Sequence, residues 1–437
     1  PMQKHIFYVT LVTILLLLNR CSDSTDAPSF ISIQNGQFIR NKQPYLFMGA
    51  NFWQGMNLAS PTSGGDSNKL IRELDRMKEL GITNLRIMAI TEGPDDQPYR
   101  ILPALQTDTN RIESSLWTGL DLLLSEMKKR DMSATLVLNN FWPWSGGMAQ
   151  YVQWYTGDSI PYPPPHPNGN WDVYQKYAAK FYSLAPAKEQ FRLIVKKLIE
   201  RVNTHTGVAY KDEPAILSWE LANEPRGMDK TTEMLQWIDE TSKWIKSLDP
   251  NHLITTGAEG YTNDPNYTGT DFIKMHSFPA IDYTTAHIWI QNWGWYDPSR
   301  HDSTYDFAAE KMKTYLRQHA QESHDMGKPF VLEEFGIMRD NGSFDPLSTT
   351  KNRDTYFSEV FEEIYQLAKM KKASGVNFWA WAGETTPTQP GNLWKPGDPF
   401  TGDPPHEPQG WYSVYAKDST THRIIRSHAL KMAALSK

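Results

Sequence analysis

From residue 27 onward, short apolar runs alternate with amphipathic stretches along the whole chain, and few folds accept that order. The runs are residues 45–51, 83–90, 134–140, 216–224, 253–258, 283–289, 330–335 and 376–381. Most are rich in β-branched and aromatic residues and lack polar alternation, as parallel strands buried on both faces do. Between them, residues 70–80, 115–130, 188–203, 234–248, 308–325 and 354–372 carry helical periodicity. The first of these stops at Gly81, a residue suited to the left-handed turn that ends a helix. Eight strands with intervening helices predict an α/β protein with one (β/α)8 TIM barrel over residues 27–437. An open doubly wound sheet is the alternative, but no glycine-rich dinucleotide turn follows the first strand.

In such barrels the chemistry sits at the C-terminal strand ends. Two runs end there in glutamate: Ser218-Trp219-Glu220-Leu221-Ala222-Asn223-Glu224-Pro225-Arg226 and Pro329-Phe330-Val331-Leu332-Glu333-Glu334-Phe335-Gly336. Two facing carboxylates are what cleavage of a glycosidic bond requires, one donating a proton and the other attacking the anomeric carbon. Other strand ends are polar and aromatic as well: Asn51, Phe52 and Trp53; Arg86; Asn139-Asn140-Phe141-Trp142; His287-Ile288-Trp289; and Trp379-Ala380-Trp381. Glu220 lies four residues before Glu224 on the same face but deeper, and reads as a structural, hydrogen-bonded carboxylate. Strand alternation turns Glu333 away from Glu334, toward an ion pair behind the sheet.

The balance of 44 Lys and Arg against 50 Asp and Glu leaves a net charge of −6, which excludes the basic surface a nucleic-acid binder needs. Aromatic residues are the anomaly, with 16 Trp, 20 Tyr and 18 Phe, more than a core of this size requires. The remainder are expected to line a groove in which ring faces stack on sugars. Residues 144–171 and 383–410 are rich in Gly, Pro and Trp, lack helical period, and are long enough to wall such a groove. No clustered His, Cys or acidic spacing marks a metal site, and no cofactor is expected.

At the N-terminus, Lys4 and His5 precede an apolar stretch over residues 6–18, too short to span a bilayer. Cys21, the single cysteine, follows it and rules out a disulfide framework. Residues 1–26 are read as a signal peptide and lipoprotein tether, although Arg20 stands where a small residue is usual. Ordinary signal cleavage without a lipid is the alternative. The chain is expected to work outside the cytoplasm, lipid-anchored at an outer membrane or cell surface, touching membrane through the lipid only and acting as a monomer.

The Trp219–Arg226 segment, the Asn139–Trp142 exit with Gly146-Gly147-Met148-Ala149-Gln150-Tyr151-Val152-Gln153-Trp154, and the tail His406-Glu407-Pro408-Gln409-Gly410-Trp411-Tyr412 together resemble glycoside hydrolase family 5, in its endo-β-1,4-mannanase subfamily. The resemblance covers nearly all of residues 30–430. It implies Glu224 as general acid/base and Glu334 as nucleophile of a retaining hydrolase, with carboxyls about 5–5.5 Å apart. It further implies Asn223 on the sugar 2-hydroxyl, His287 orienting the network, and Arg226 contacting the sugar beyond the cleavage point. Trp379 or Trp381 forms the floor, with Trp379 preferred. Arg86 is the natural counter-charge for Glu334, and Trp53 and Trp142 join the substrate-binding set. The subfamily places tyrosine, bonded to the nucleophile, where this chain has Trp289, whose N–H can donate but not accept. The implied substrate is β-mannan or manno-oligosaccharides. A family 5 β-1,4-glucanase and a non-catalytic polysaccharide-binding lipoprotein are the competing readings.

Overall fold

The computed structural model describes residues 29–62 and 64–436; residues 1–26, expected to be a signal peptide and tether, and with them Cys21, lie outside the described residues. All the expected strands form, most of them shorter than the apolar runs: Phe47–Asn51, Asn84–Met88, Ser133–Val137, Ile216–Glu220, Leu253–Thr255, Thr284–Ile288, Phe330–Phe335 and Gly375–Phe378. Every ladder between them is parallel, and the eight strands form one sheet in barrel order. The fifth and sixth strands share no ladder, but single bonds close the seam, such as Asp282 N–H to Ile254 O at 2.8 Å and His287 N–H to Glu259 O at 3.0 Å.

The strands are buried along their whole length, which explains their continuous apolar pattern. Polar residues inside the barrel bond one another, as Asn377 Nδ2 does to Asn84 Oδ1 at 2.9 Å and Asn84 Nδ2 to Ser133 Oγ at 3.0 Å. The N-terminal mouth is plugged by Phe38 from a short antiparallel hairpin, packed against Phe47, Tyr283 and Val331. The opposite mouth stays open to the long loops.

Outside, helix Ser67–Glu79 shows how the layers join. Asp66 caps it by accepting the Lys69 N–H at 2.8 Å, a contact worth about 1 kcal/mol. Leu70, Leu74 and Met77 face the barrel, each contributing roughly 1.5–3 kcal/mol by burial, and Gly81 takes the expected left-handed turn at φ +80°. Helices Ser114–Lys129, Ala185–Ile199, Thr231–Leu248, His301–Asp325 and Lys351–Lys369 match the periodic stretches with shifts of a few residues. One expectation fails, and one helix was not foreseen. The segment 144–171 is not without helix, since Gly147–Thr156 forms one ended by Gly157. A final helix, Ser419–Leu435, packs on Lys351–Lys369 through Thr421, Ile425, His428 and Met432, a spacing that was present in the sequence. Among the described residues no helix is long and apolar enough to cross a membrane.

Candidate active site

Glu224 and Glu334 stand at the ends of the fourth and seventh strands, as their sequence positions require. After Glu220 the chain leaves the ladder. Asn223 N–H donates to Asn139 O at 2.9 Å, and Glu224 N–H to Gly257 O at 2.9 Å. Glu224 itself has φ +52°, a left-handed conformation that costs a side-chain-bearing residue of order 1 kcal/mol and turns its carboxylate into the barrel mouth. One oxygen of Glu224, one of Glu334 and a ring nitrogen of His287 lie within 4.8 Å of one another.

Arg86, buried in the middle of the second strand, organises the floor beneath these acids. Its Nε and Nη2 donate to Glu220 at 2.9 and 2.6 Å, and Nη2 also to Asn223 Oδ1 at 2.8 Å. Nη1 donates to Asn51 Oδ1 at 3.0 Å and to Glu334. Glu220 is thus the structural carboxylate expected. Glu333 is not behind the sheet. The register of the seventh strand slips between Leu332 and Glu334, so alternation fails there, and Glu333 is buried with Oε2 3.8 Å from Arg86 Nε and 3.5 Å from His287 Nε2.

Four buried carboxylates therefore meet two cations, Arg86 and His287. Burial pushes Glu334 up to about 7, against the opposing pull of His287 and Arg86. Burial also works to raise Glu224, but bonds from His287 at 2.7 Å and Trp142 Nε1 at 2.6 Å, with the charges of His287 and Arg226, bring it below its ordinary value. His287 disfavours its charge by burial, yet the surrounding Glu334, Glu224 and Glu333 lift it to about 10. These opposed shifts place the shared proton on His287 rather than on Glu224. Moving it from Nδ1 along the 2.7 Å bond gives a neutral Glu224 beside an ionised Glu334. The three groups also have ligand-like spacing, but each is held by the hydrogen bonds of the acid network.

Above this floor lies a cavity of about 570 Å³, and seven of the 16 tryptophans line it. Among the predicted residues, Glu224, Glu334, Asn223, Arg226, Trp142, Trp289 and Trp379 face it. Arg86 and His287 do not line it; they hold the acids from below, through bonds to Glu334 and Glu224. Trp53 is also displaced from its expected role: it is buried, donates to Gly402 O at 2.9 Å, and packs behind Trp144 and Phe400. Trp381 points away to bond Glu73 Oε2 at 2.9 Å, leaving Trp379 as the ring in the cavity. Arg226 lies over the Trp142 ring at 4.8 Å and forks onto Glu259 at 2.7 and 2.8 Å. Trp289 donates to Glu224 Oε1 at 3.3 Å and not to Glu334.

Sequence reasoning missed Glu259, Trp171, Trp293 and Glu407 as lining residues. Glu259 and Trp293 had no motif to mark them, and Trp171 began a helix, Trp171–Ala179, in what reads as loop. Glu407 stood in the quoted His406–Tyr412 tail without a role. Its Oε2 is enclosed and has no hydrogen-bond partner. A second depression of about 640 Å³, around Leu347 and Lys351, is remote from these acids.

Paired acids at barrel strand ends beneath an aromatic cavity define a glycoside hydrolase. The sequence profile of glycoside hydrolase family 5, β-mannosidase-like, matches residues 28–437, and the chain belongs to that family. It is 32% identical over 371 residues to mannan endo-1,4-beta-mannosidase 5 of Solanum lycopersicum, covering 82% of this chain and 80% of that protein. Among solved structures, a family 5 mannosidase from Rhizomucor miehei superposes with a TM-score of 0.86 at 39% identity, covering 93% of this chain and 98% of that one. The endo-beta-1,4-mannanase from Thermotoga petrophila gives a TM-score of 0.68 at 25% identity, over 89% of this chain and 77% of that one.

Proposed function

We propose that the protein is a retaining endo-hydrolase of β-1,4-mannosidic bonds in mannan, gluco- or galactomannan. The observation that carries the mechanism is the 4.8 Å approach of Glu224, His287 and Glu334, which supports the short carboxylate separation of retaining enzymes. Glu224 gives its proton to the glycosidic oxygen while Glu334 attacks the anomeric carbon and the C–O bond to the leaving chain breaks. Glu224 then takes a proton from water, the water oxygen bonds the anomeric carbon, and Glu334 is released as carboxylate. Asn223 keeps one amide N–H beyond its bond to Asn140 Oδ1 at 3.1 Å, placed to meet the 2-hydroxyl. Trp379 forms the floor, and Trp142 with Arg226 frames the leaving sugar on the acid/base side.

The relatives named for mannan support this substrate, because a site that hydrogen-bonds an axial 2-hydroxyl rejects the glucose epimer through unpaired partners. Initial rates on mannan and carboxymethyl-cellulose test it. Faster cleavage of the glucan overturns the substrate and leaves the mechanism standing.

A second reading, a mannosidase acting on short substrates, is favoured by the Rhizomucor likeness and by one contact: His406 meets Trp171 across the cavity with ring centroids 6.0 Å apart. Sizing the first products decides between the two. Mixed oligosaccharides from mid-chain cuts support the endo reading, and mannose alone supports the other.

We also propose that residues 1–26 export and tether the enzyme through a lipid on Cys21, which the sequence of that segment supports. Fractionation of Cys21→Ala cells tests it: release from the membrane supports the tether, and unchanged partition removes it.

A further inference from the structure

The loop leaving the second strand holds a buried acid that the proposed mechanism does not use. Glu92 lies outside the cavity lining, and its Oε2 accepts the Gly147 N–H at 2.7 Å. Its own N–H donates to Ser145 O at 2.7 Å, and its carbonyl accepts from Arg100 Nη1 at 3.1 Å. Nearby, Ile101 N–H donates to Trp144 O at 2.8 Å. The turn 142–147 is thus gripped from outside along its length. Its shape leaves no slack: Gly146 and Gly147 have φ +89° and +62°, and a Cβ on Gly146 would lie 2.3 Å from the Glu92 carbonyl oxygen.

This turn carries two cavity rings. Trp142 Nε1 donates to Glu224 Oε2 at 2.6 Å, and Trp144 meets the Trp379 floor with centroids 6.1 Å apart. An acid is a poor choice at this place for stability alone. Its Oε1 has no partner, and burial pushes the carboxyl up to about 7, with only Arg100 and Tyr151 facing it. What the acid offers is a strong acceptor for the Gly147 N–H.

We infer that Glu92 is a positioning residue for glycosidic cleavage, holding the 142–147 turn so that Trp142 reaches Glu224 and Trp144 supports the −1 floor. This rests on Glu224 being the acid/base. The charged groups around Glu224 are His287, Arg226, Glu334, Glu259 and Glu407, and Glu92 acts on it through the Trp142 N–H. That bond favours the ionised carboxylate of Glu224, so its loss strengthens the hold of the His287–Glu224 pair on its shared proton and carries the alkaline limb of kcat/KM to higher pH.

The test is the pH profile of kcat/KM on mannotetraose for Glu92→Ala, Glu92→Gln and Trp142→Phe. Glu92→Ala is expected to lose about tenfold in rate and to move the alkaline limb up by about one unit. Glu92→Gln keeps an acceptor for Gly147 and restores both. Should alanine fail to fold, Glu92→Asp, one methylene short of Gly147, is expected to shift the limb in the same direction. A rate loss without a shifted limb, or a glutamine variant that behaves like alanine, overturns the inference. If Trp142→Phe shifts the limb while Glu92→Ala does not, only the role of Glu92 fails. If neither shifts it, the acid/base reading of Glu224 fails too.

Discussion

Trp289 donates its indole N–H to Glu224 Oε1 at 3.3 Å, onto the same oxygen that His287 reaches at 2.7 Å. The subfamily's tyrosine at this position bonds the nucleophile; the indole here lies on the other acid. Because an indole can only donate, it assists Glu224 when that oxygen accepts, as it does after the proton has left. Trp289→Phe removes the donor and keeps the ring. A loss of about fivefold in kcat/KM is expected, the worth of roughly 1 kcal/mol of hydrogen bond. An unchanged kcat/KM would show the contact to be idle.

The two acids separate by leaving group. Glu334→Gln is expected to abolish turnover on every substrate. Glu224→Ala is expected to retain glycosylation of aryl β-mannosides whose leaving group needs no proton, while losing mannan hydrolysis. Burst and steady-state rates on the aryl substrate measure this. Equal loss in both variants would reverse or remove the role assignment.

The raised pKa of Glu334 has a signed consequence. The nucleophile must be ionised, so kcat/KM falls as pH drops through about 7, well above the ordinary carboxylate range. The Glu224 charge is one cause of that elevation, and removing it favours the ionised nucleophile. On an activated aryl substrate, Glu224→Gln therefore moves the acid limb to lower pH. A limb that stays in place, or rises, contradicts the coupling.

Glu407 trades stability for function. Burial raises its pKa well above the usual value, with Asp403, Glu334 and Glu224 adding to the effect. A carboxyl whose folded pKa exceeds its unfolded one costs nothing below about pH 4.5, and the penalty grows as pH rises and the unfolded chain ionises first. Glu407→Gln is expected to raise Tm at pH 8 and leave it unchanged at pH 4, while Glu407→Leu, which removes the acceptor from the cavity, raises KM. Equal Tm shifts at both pH values would contradict the titration account.

The barrel was legible because its strands are buried on both faces and its helices on one, so burial wrote two distinct periods into the chain. Glu224, Glu334, Arg86 and Asn223 could be placed for the same reason: strand ends fix which side chains converge. What could not be read was local irregularity. Glu333 turns inward because the seventh strand slips register beside it, and alternation carries no warning of a bulge. Trp53 and Trp142 occupy equivalent strand ends, yet only packing against Phe400 and Trp144 sends the first behind the cavity. Helix Gly147–Thr156 hid because its first six residues are all buried, which erases the polar face that marks a surface helix. The grip of Glu92 on Gly147 joins residues 55 positions apart in two loops, and no periodicity records such a pair.

The central claim is that two acids at this spacing act by double displacement, and the stereochemistry of the first product tests it most directly. Proton NMR during the opening minutes of manno-oligosaccharide hydrolysis distinguishes the anomers before mutarotation mixes them. Double displacement through Glu334 predicts that the β-anomer forms first and the α-anomer grows in afterwards. An α-anomer formed first would mean single displacement by water and would contradict the account.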